Sequence, residues 1–353
     1  MSDRSDPESL DDRLAQIERQ LFLIIGSGRS GTTLLQSMLV SDRSIAIPPE
    51  THFYDVVRRR KWEYGNLRNE RNYRRVIHKV WRDQGRWGVH VDERRLEAYA
   101  LAAPRTIDGL FLSILAAYAD QEGAQRVGEK SPRHMLSIAH LIEALPNARF
   151  IHMMRDPRAV IQSQMSRINA TNRIARHIEL WRKAAQMHRQ YADRLEPTRY
   201  LLVRYERLVT DPAAVIQEVC RFIGAPMTET MLEPHKRQRK VQSDDDLPWF
   251  ANTKKPIFTT SVDKWRDQMK PSDVALVEYA LSDEMKRLGY EPTGATTWWP
   301  APRLTASLAV EWVERQVEIV PRAWRRARRA LAGRADAPPQ SGSNEQNGRD
   351  GRV

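Results

Sequence analysis

Leu21-Phe-Leu-Ile-Ile-Gly26-Ser-Gly-Arg-Ser-Gly31-Thr-Thr-Leu-Leu35 is the stretch that decides the fold. Leu21 to Ile25 form an apolar run closed by glycine, the pattern of a buried strand. A loop with Gly26, Gly28 and Gly31 follows. From Thr32 to Val40 the period becomes helical, with Leu34, Leu35, Met38 and Leu39 on one face. Glycines let backbone N–H groups turn toward one point, and a helix start adds unpaired donors and the positive end of its dipole. Strand, loop and helix together predict an anion cradle.

Gly26 to Thr33 keep the phosphate-loop spacing GxxxxGK[ST], with Thr32 where the lysine would stand. Without that lysine nothing in the loop reaches a terminal γ-phosphate. Arg29 is the loop's one cation, with hydroxyls at Ser30, Thr32 and Thr33. Such a set suits an oxyanion held without metal. A glycine-rich turn before an ordinary core helix is the plainer reading, and the order strand, loop, helix argues against it.

Working outward, 353 residues suffice for one large or two modest domains. A hydrophobic share of 41% with 29% charged residues is that of a soluble globular protein. No apolar run approaches the ~20 residues that a membrane helix needs. Met1 to Gln20 is acidic and polar, unlike a signal peptide. A single cysteine, Cys220, excludes an intramolecular disulfide framework and points to a reducing cytoplasm. It sits in an apolar helical stretch and reads as a buried, inert thiol.

The net charge of +12 is unevenly spread. Arg58 to Arg95 carry 13 Lys/Arg against 5 Asp/Glu; a second cluster is His235-Lys-Arg-Gln-Arg-Lys240, and a third lies near the C-terminus. An anionic cofactor, an acidic substrate or nucleic acid would each explain such clusters. No helix-turn-helix, RNA-binding or zinc-finger signature accompanies them, so no nucleic-acid partner is expected.

Along the chain, residues 1–20 read as a partly disordered lead-in with a helix from Leu10. Ser44 to Ile47 reads as a short strand closed by Pro48-Pro49. The arginine-rich stretch 54–125 reads as a basic helical insertion, with an amphipathic helix over Thr106 to Gln121. Further strands are expected at Gln125–Gly128, Arg149–Met154 and Tyr200–Val203. Helices are expected at His134–Ala144, Asp156–Arg167, Arg173–Leu195, Asp211–Ile223 and Pro271–Leu288. The alternation predicts an α/β fold, a parallel doubly wound sheet flanked by helices, with the ligand at the carboxyl ends of the strands. Residues 21–292 form the main domain in this reading. Residues 300–332 form a basic amphipathic helix, whose last part, Arg322 to Arg329, holds five arginines and no acid. Contact with an anionic membrane surface and simple packing on the body are both open for it. Residues 333–353 read as a disordered tail.

The second landmark is Phe150-Ile-His-Met-Met-Arg155-Asp-Pro-Arg-Ala-Val-Ile-Gln-Ser163-Gln-Met-Ser-Arg167. Its strand delivers Arg155 to the same sheet end as the loop. Ser163 and Arg167 follow on one helical face. Two arginines and a hydroxyl suit a second phosphate. Taken alone, Arg-Asp-Pro-Arg also fits a silent helix-capping salt bridge.

With these residues in place, the chain resembles the sulfotransferases that use 3′-phosphoadenosine-5′-phosphosulfate (PAPS). Gly-Ser-Gly-Arg29-Ser-Gly-Thr-Thr looks like their 5′-phosphosulfate loop, and Arg155 with Ser163 looks like their 3′-phosphate motif. Arg204-Tyr205-Glu206 resembles the block whose tyrosine lies near the adenine. Ser261-Val-Asp-Lys264-Trp265-Arg266 resembles the late segment that closes over the nucleotide. Four motifs in family order are a strong signal, covering roughly Phe22 to Pro292. Within the family the chain is most similar to the tyrosylprotein type and its bacterial relatives. Arg29 stands where cytosolic members usually have lysine, Pro49-Glu50-Thr51-His52 matches the general-base glutamate block, and Glu129-Lys130-Ser131-Pro132 resembles the lysine block.

The resemblance implies a sulfotransferase moving a sulfuryl group from PAPS to a hydroxyl-bearing acceptor, without metal. It gives Glu50, Arg29 and Lys130 catalytic roles, with His52 the runner-up base. It gives Gly28, Arg29, Ser30, Gly31, Thr32, Thr33, Leu34, Arg155, Ser163, Arg167, Tyr205, Ser261 and Lys264 to the cofactor. Asn252 and Thr253 stay open beside Ser261 for a serine-type contact near the late loop. The basic stretch 58–95 hints at an acidic acceptor. Residue by residue, other roles remain: Glu50 as a helix cap, Lys130 as an ion-pair partner of Glu129, Tyr205 as core packing, and Asp244-Asp-Asp246 as a solvated loop.

Overall fold

Among the described residues, the apolar runs that lack a helical period become strands, and these five strands join one sheet. The computed structural model describes residues 9–57, 63–84, 89–166, 174–236 and 255–296, with a few positions between 300 and 309. Helix α1 (Leu10–Gln20) starts at Ser9, whose hydroxyl accepts a hydrogen bond from the Asp12 N–H, and it buries Leu14 and Ile17. Strand β1 (Phe22–Gly26) is buried along its whole length, and α2 (Thr32–Leu39) follows the glycine loop. Next come β2 (Ile45–Ala46), α3 (Phe53–Val56), α4 (Glu70–Asp83), α5 (Glu93–Ala102) and α6 (Ile107–Gln121). Within the stretch expected as an insertion, α4 packs on α5 and α5 on α6, while α6 lies against β2 and β3.

Strand β3 (Arg126–Lys130) runs two residues further than its apolar pattern, so that Glu129 and Lys130 are strand residues. A 3₁₀ turn, Pro132–Ser137, then precedes α7 (Ile138–Ala144); the single helix expected from His134 is thus split. Strand β4 (Arg149–Met154), α8 (Pro157–Met165), α9 (Ile174–Tyr191), β5 (Tyr200–Arg204), α10 (Tyr205–Thr210) and α11 (Pro212–Ile223) complete the sheet region. The late segment forms α12 (Trp265–Gln268), α13 (Pro271–Ala280) and α14 (Ser282–Arg287). One helix was expected for the last two; fully buried Leu281 leaves helical geometry between them, at φ −118° and ψ 17°.

The strand order is β2-β3-β1-β4-β5, all parallel. From β1 the chain goes to the sheet edge at β2, returns inward to β3 beside β1 and then crosses to β4 on the other side, so β1 and β4 flank a switch point, where α/β sheets bind ligands at the strands' carboxyl ends. Alternate residues Phe22, Ile24, Ile151, Met153 and Val203 form one core with Leu35 and Met38 of α2 and Val219 and Ile223 of α11. Each such side chain contributes about 1.5–3 kcal/mol by leaving water. Cys220 is buried in this core, and desolvation pushes its thiol up to about 11.

The chain divides into two compact units, 1–300 and 301–353. The helix expected over 300–332 falls on described residues only at 300–302, 304–306 and 309, which are helical; the remainder and the tail lie outside the described residues.

Candidate functional site

The loop after β1 is shaped by two close approaches. Gly26, at φ 147°, pairs with Met153 across the sheet, and a Cβ there would stand 2.4 Å from the Met153 carbonyl oxygen. Gly31, at φ 91°, begins α2, and a Cβ there would stand 2.4 Å from the Tyr205 ring. Arg29 itself lies in the left-handed region at φ 74°, a conformation that non-glycine residues adopt rarely. Ser27 and Ser30 link their hydroxyls at 2.8 Å inside the loop. Thr32 is buried, Thr33 half-buried, and Leu34 packs partly against the core.

Strand β4 ends at Arg155, and there Arg-Asp-Pro-Arg divides into two jobs. Asp156 caps α8, accepting from the Arg158 N–H at 2.8 Å. Arg158 closes a buried ion cluster with Asp156 (2.6 Å) and Glu278 (2.6 Å), its guanidinium lying 4.2 Å over the Trp265 ring. Arg155 turns the other way. Its Nη1 donates to the Arg29 carbonyl at 3.2 Å, its Nη2 to the Ser261 carbonyl at 2.5 Å, and its plane lies 4.3 Å over Tyr205. Its Nε is buried with no partner among the described residues. Tyr205 and Ser261 share a hydroxyl hydrogen bond of 2.5 Å, so Arg155 and Tyr205 both hold the late segment, and Arg155 joins it to the loop.

Ser163 meets the loop arginine and not Arg155: Arg29 Nε donates to its Oγ at 2.9 Å. Gln164 adds a hydrogen bond to the Gly28 carbonyl at 3.2 Å, so α8 holds the loop at two points. Lys264 is exposed just before α12. Arg167, Asn252, Thr253 and Asp244-Asp-Asp246 lie outside the described residues.

On the other side of β1, Lys130 and Glu50 meet. In β3 successive side chains point to opposite faces. Glu129 and Lys130 therefore part company, and Lys130 donates to Glu50 Oε1 at 2.6 Å instead. Its Nζ also reaches Thr33 Oγ1 at 3.5 Å, and the ammonium is fully buried. Burial pulls the Lys130 pKa down, against the opposing pull of the Glu50 carboxylate. Glu50 caps no helix: α3 begins three residues later, at Phe53. The second Glu50 oxygen faces His52 Nε2 at 3.3 Å, and the His52 side chain is 40% exposed while Glu50 is 21% exposed.

A family model described as "Sulfotransferase family" matches residues 22–229. The chain belongs to the sulfotransferase family. Protein-tyrosine sulfotransferase A of Caenorhabditis elegans is 26% identical over 318 residues, covering 85% of this chain and 77% of that one. Protein-tyrosine sulfotransferase 2 of Gallus gallus is 24% identical, covering 78% and 70%. The sulfotransferase domain from the Synechococcus PCC 7002 olefin synthase superposes with a TM-score of 0.56 at 26% identity, covering 77% of this chain and 94% of that domain. The parallel α/β sheet is that of a sulfotransferase.

Several residues that shape this sulfotransferase's site carry no motif signal. Trp181 of α9 donates its indole N–H to the Arg155 carbonyl at 2.9 Å. Gln164 and His134 are likewise silent in a linear reading, and the blocks that hold Thr51, Glu129 and Ser131 do not show that these side chains meet: Thr51 reaches Glu129 across 78 positions, and Gln164 reaches Gly28 across 136. Asp108 is another such residue, accepting from Tyr54 Oη at 2.9 Å behind α3.

Proposed function

We propose that this sulfotransferase moves the sulfuryl group of PAPS onto the phenolic oxygen of tyrosine in an acidic peptide, with Glu50 as the general base. The observation that carries the reading is Lys130 Nζ standing between Glu50 at 2.6 Å and Thr33 of the loop at 3.5 Å. One buried cation thereby joins the proposed base to the anion cradle. The residues fit the donor: the loop offers backbone N–H groups and the hydroxyls of Ser30, Thr32 and Thr33, and Arg155 keeps a buried Nε unpartnered among the described residues.

When bound, PAPS supplies an activated sulfuryl group and a nucleotide leaving group. The loop N–H groups from Gly28 to Leu34, with Thr32 and Thr33, hold the 5′ end. Arg155, Ser163 and Arg167 bind the 3′-phosphate; Tyr205, Ser261 and Lys264 border the nucleotide. Sulfuryl transfer resembles phosphoryl transfer, so positioning and charge stabilisation dominate. Arg29 and Lys130 face the charge that develops, and Glu50 accepts the hydroxyl proton. His52, against the second Glu50 oxygen and open to solvent, gives that proton a way out.

The acceptor class rests on the two tyrosine sulfotransferase relatives and on the basic stretch 58–95. The test is incubation with PAPS and a tyrosine peptide flanked by acidic residues, read by mass spectrometry. Sulfated peptide from wild type and none from Glu50→Gln is expected. Tight binding of 3′-phosphoadenosine-5′-phosphate (PAP) with no phenol sulfated would move the acceptor to another hydroxyl class. Absence of PAP binding would remove the reading altogether.

A further inference from the structure

The turn that carries Glu50 is tied down from behind. Helix α3 opens at His52 in a left-handed conformation, φ 46°, with no side chain of its own capping the first N–H groups. Those N–H groups end instead on three side chains. His52 N–H donates to Ser131 Oγ at 3.1 Å, Phe53 N–H to Thr51 Oγ1 at 3.3 Å, and Tyr54 N–H to His134 Nε2 at 3.3 Å. All three side chains converge on one fully buried carboxylate. Glu129 accepts from Thr51 Oγ1 at 2.8 Å, from Ser131 Oγ at 2.5 Å and from His134 Nδ1 at 2.9 Å.

We infer that Glu129 is the positioning residue of the reacting pair: through Thr51, Ser131 and His134 it fixes residues 51–54 against β3 and thereby sets Glu50 on Lys130. The inference rests on the reading of Glu50 and Lys130 given above. Glu129 and Lys130 are neighbours in β3 and grip the same turn from opposite faces. Lys130 takes the Glu50 carboxylate, and Glu129 takes the three side chains that accept the N–H groups just beyond it. A carboxylate suits this place, since it accepts from all three partners at once. A glutamine could keep its one acceptor for His134 only by turning its N–H₂ on the two hydroxyls, which would then lose the acceptor that orients them. His134 cannot change tautomer to accommodate it, because Nε2 must accept from Tyr54. Burial alone would raise the Glu129 pKa; His134 and the Ser131 and Thr51 hydroxyls hold it below its usual value.

The test needs no acceptor. In the full chain with isotope-labelled lysine, the Lys130 Cε resonance, assigned with Lys130→Met, is followed against pH by NMR. Lys130 is met by Glu50 from the turn, Thr33 from α2, and the charges of Glu129 and Arg29. Thr51→Val with Ser131→Ala keeps Glu50, Thr33 and Arg29, leaves the Glu129 carboxylate on His134, its largest stabilising partner, and removes the hydroxyl links. The expected result is that Lys130 loses its proton at a pH lower by about half a unit or more, in the same direction as in Glu50→Gln. PAP affinity, by calorimetry, should stay within about threefold of wild type, and Thr51→Ser, which keeps the hydroxyl, should titrate as wild type. If the double variant fails to fold, Thr51→Val alone is read in the same way. A wild-type Lys130 titration in these variants, with Glu50→Gln still shifting it, would overturn the inference and leave the pair standing. No shift in Glu50→Gln would overturn the pair itself.

Discussion

The mouth of the site and the polar layer just beneath it are built from the same residue types and treated in opposite ways. Below, Arg158 meets Asp156 and Glu278, and Glu129 meets three donors; each charge is matched by side chains of the fold. At the mouth, Arg155 keeps a buried Nε without a partner among the described residues, and Lys130 shares itself between a base and a loop hydroxyl. Arg155 and Arg158 are only three residues apart. The difference teaches that buried charge matched within the fold is structure, whereas buried charge left with a free direction at the end of a parallel sheet is capacity for a ligand.

The strongest way to break this contrast is at the mouth. Glu50→Gln should lower kcat by about 10²–10⁴-fold with PAP affinity near wild type, as calorimetry and steady-state kinetics would show. The layer beneath should answer in stability. Arg158→Ala leaves Asp156 and Glu278 buried without their cation and should cost about 3–5 kcal/mol in denaturant unfolding. An Arg158→Ala protein as stable as wild type would erase the distinction. Arg155→Ala should do the reverse, weakening PAP binding by about 10–100-fold, the worth of charge-assisted hydrogen bonds of ~1.5–3 kcal/mol, with little change in unfolding midpoint.

A smaller effect sharpens the comparison with a third buried group. His152 in β4 bonds Tyr200 Oη at 2.6 Å, and burial, with the nearby His188, pushes its pKa from 6.5 down to about 3. The unfolded chain therefore holds a proton that the native ring refuses between these values. Stability is fully present above about 6.5 and falls as pH drops toward 3, by at most about 1.4 kcal/mol per pH unit from this residue. His152→Gln should flatten that slope in acid unfolding. The mildest change is Tyr205→Phe, which removes the hydrogen bond to Ser261 but keeps the ring under Arg155. It should cost about 1 kcal/mol or less in stability and loosen PAP slightly.

What was legible in the sequence had local causes. Leu21 to Ile25 had to be a strand because a short apolar run bounded by glycine has no polar face to offer water, and the change of period at Thr32 marked the helix start. The loop spacing placed Arg29, Thr32 and Thr33 together, and order along the chain brought Arg155 to the same sheet end. The ambiguous residues were ambiguous for a physical reason. Whether Glu50 capped a helix or Lys130 paired with Glu129 depended on where a strand ended, and the apolar signal of β3 stops before both residues.

By itself, then, the sequence determined the period of each element, the alternation that requires a parallel sheet, and the cluster of anion-binding residue types at its carboxyl end. The tertiary structure alone decided which of those residues face one another. It gave Ser163 to Arg29, set Tyr205 against Gly31, and sent Lys130 to Glu50 while Glu129 gathered Thr51, Ser131 and His134. The reason is range: backbone periodicity is written in neighbours three or four positions apart, but a buried charge chooses its partner through space, wherever the sheet's register delivers a matching group.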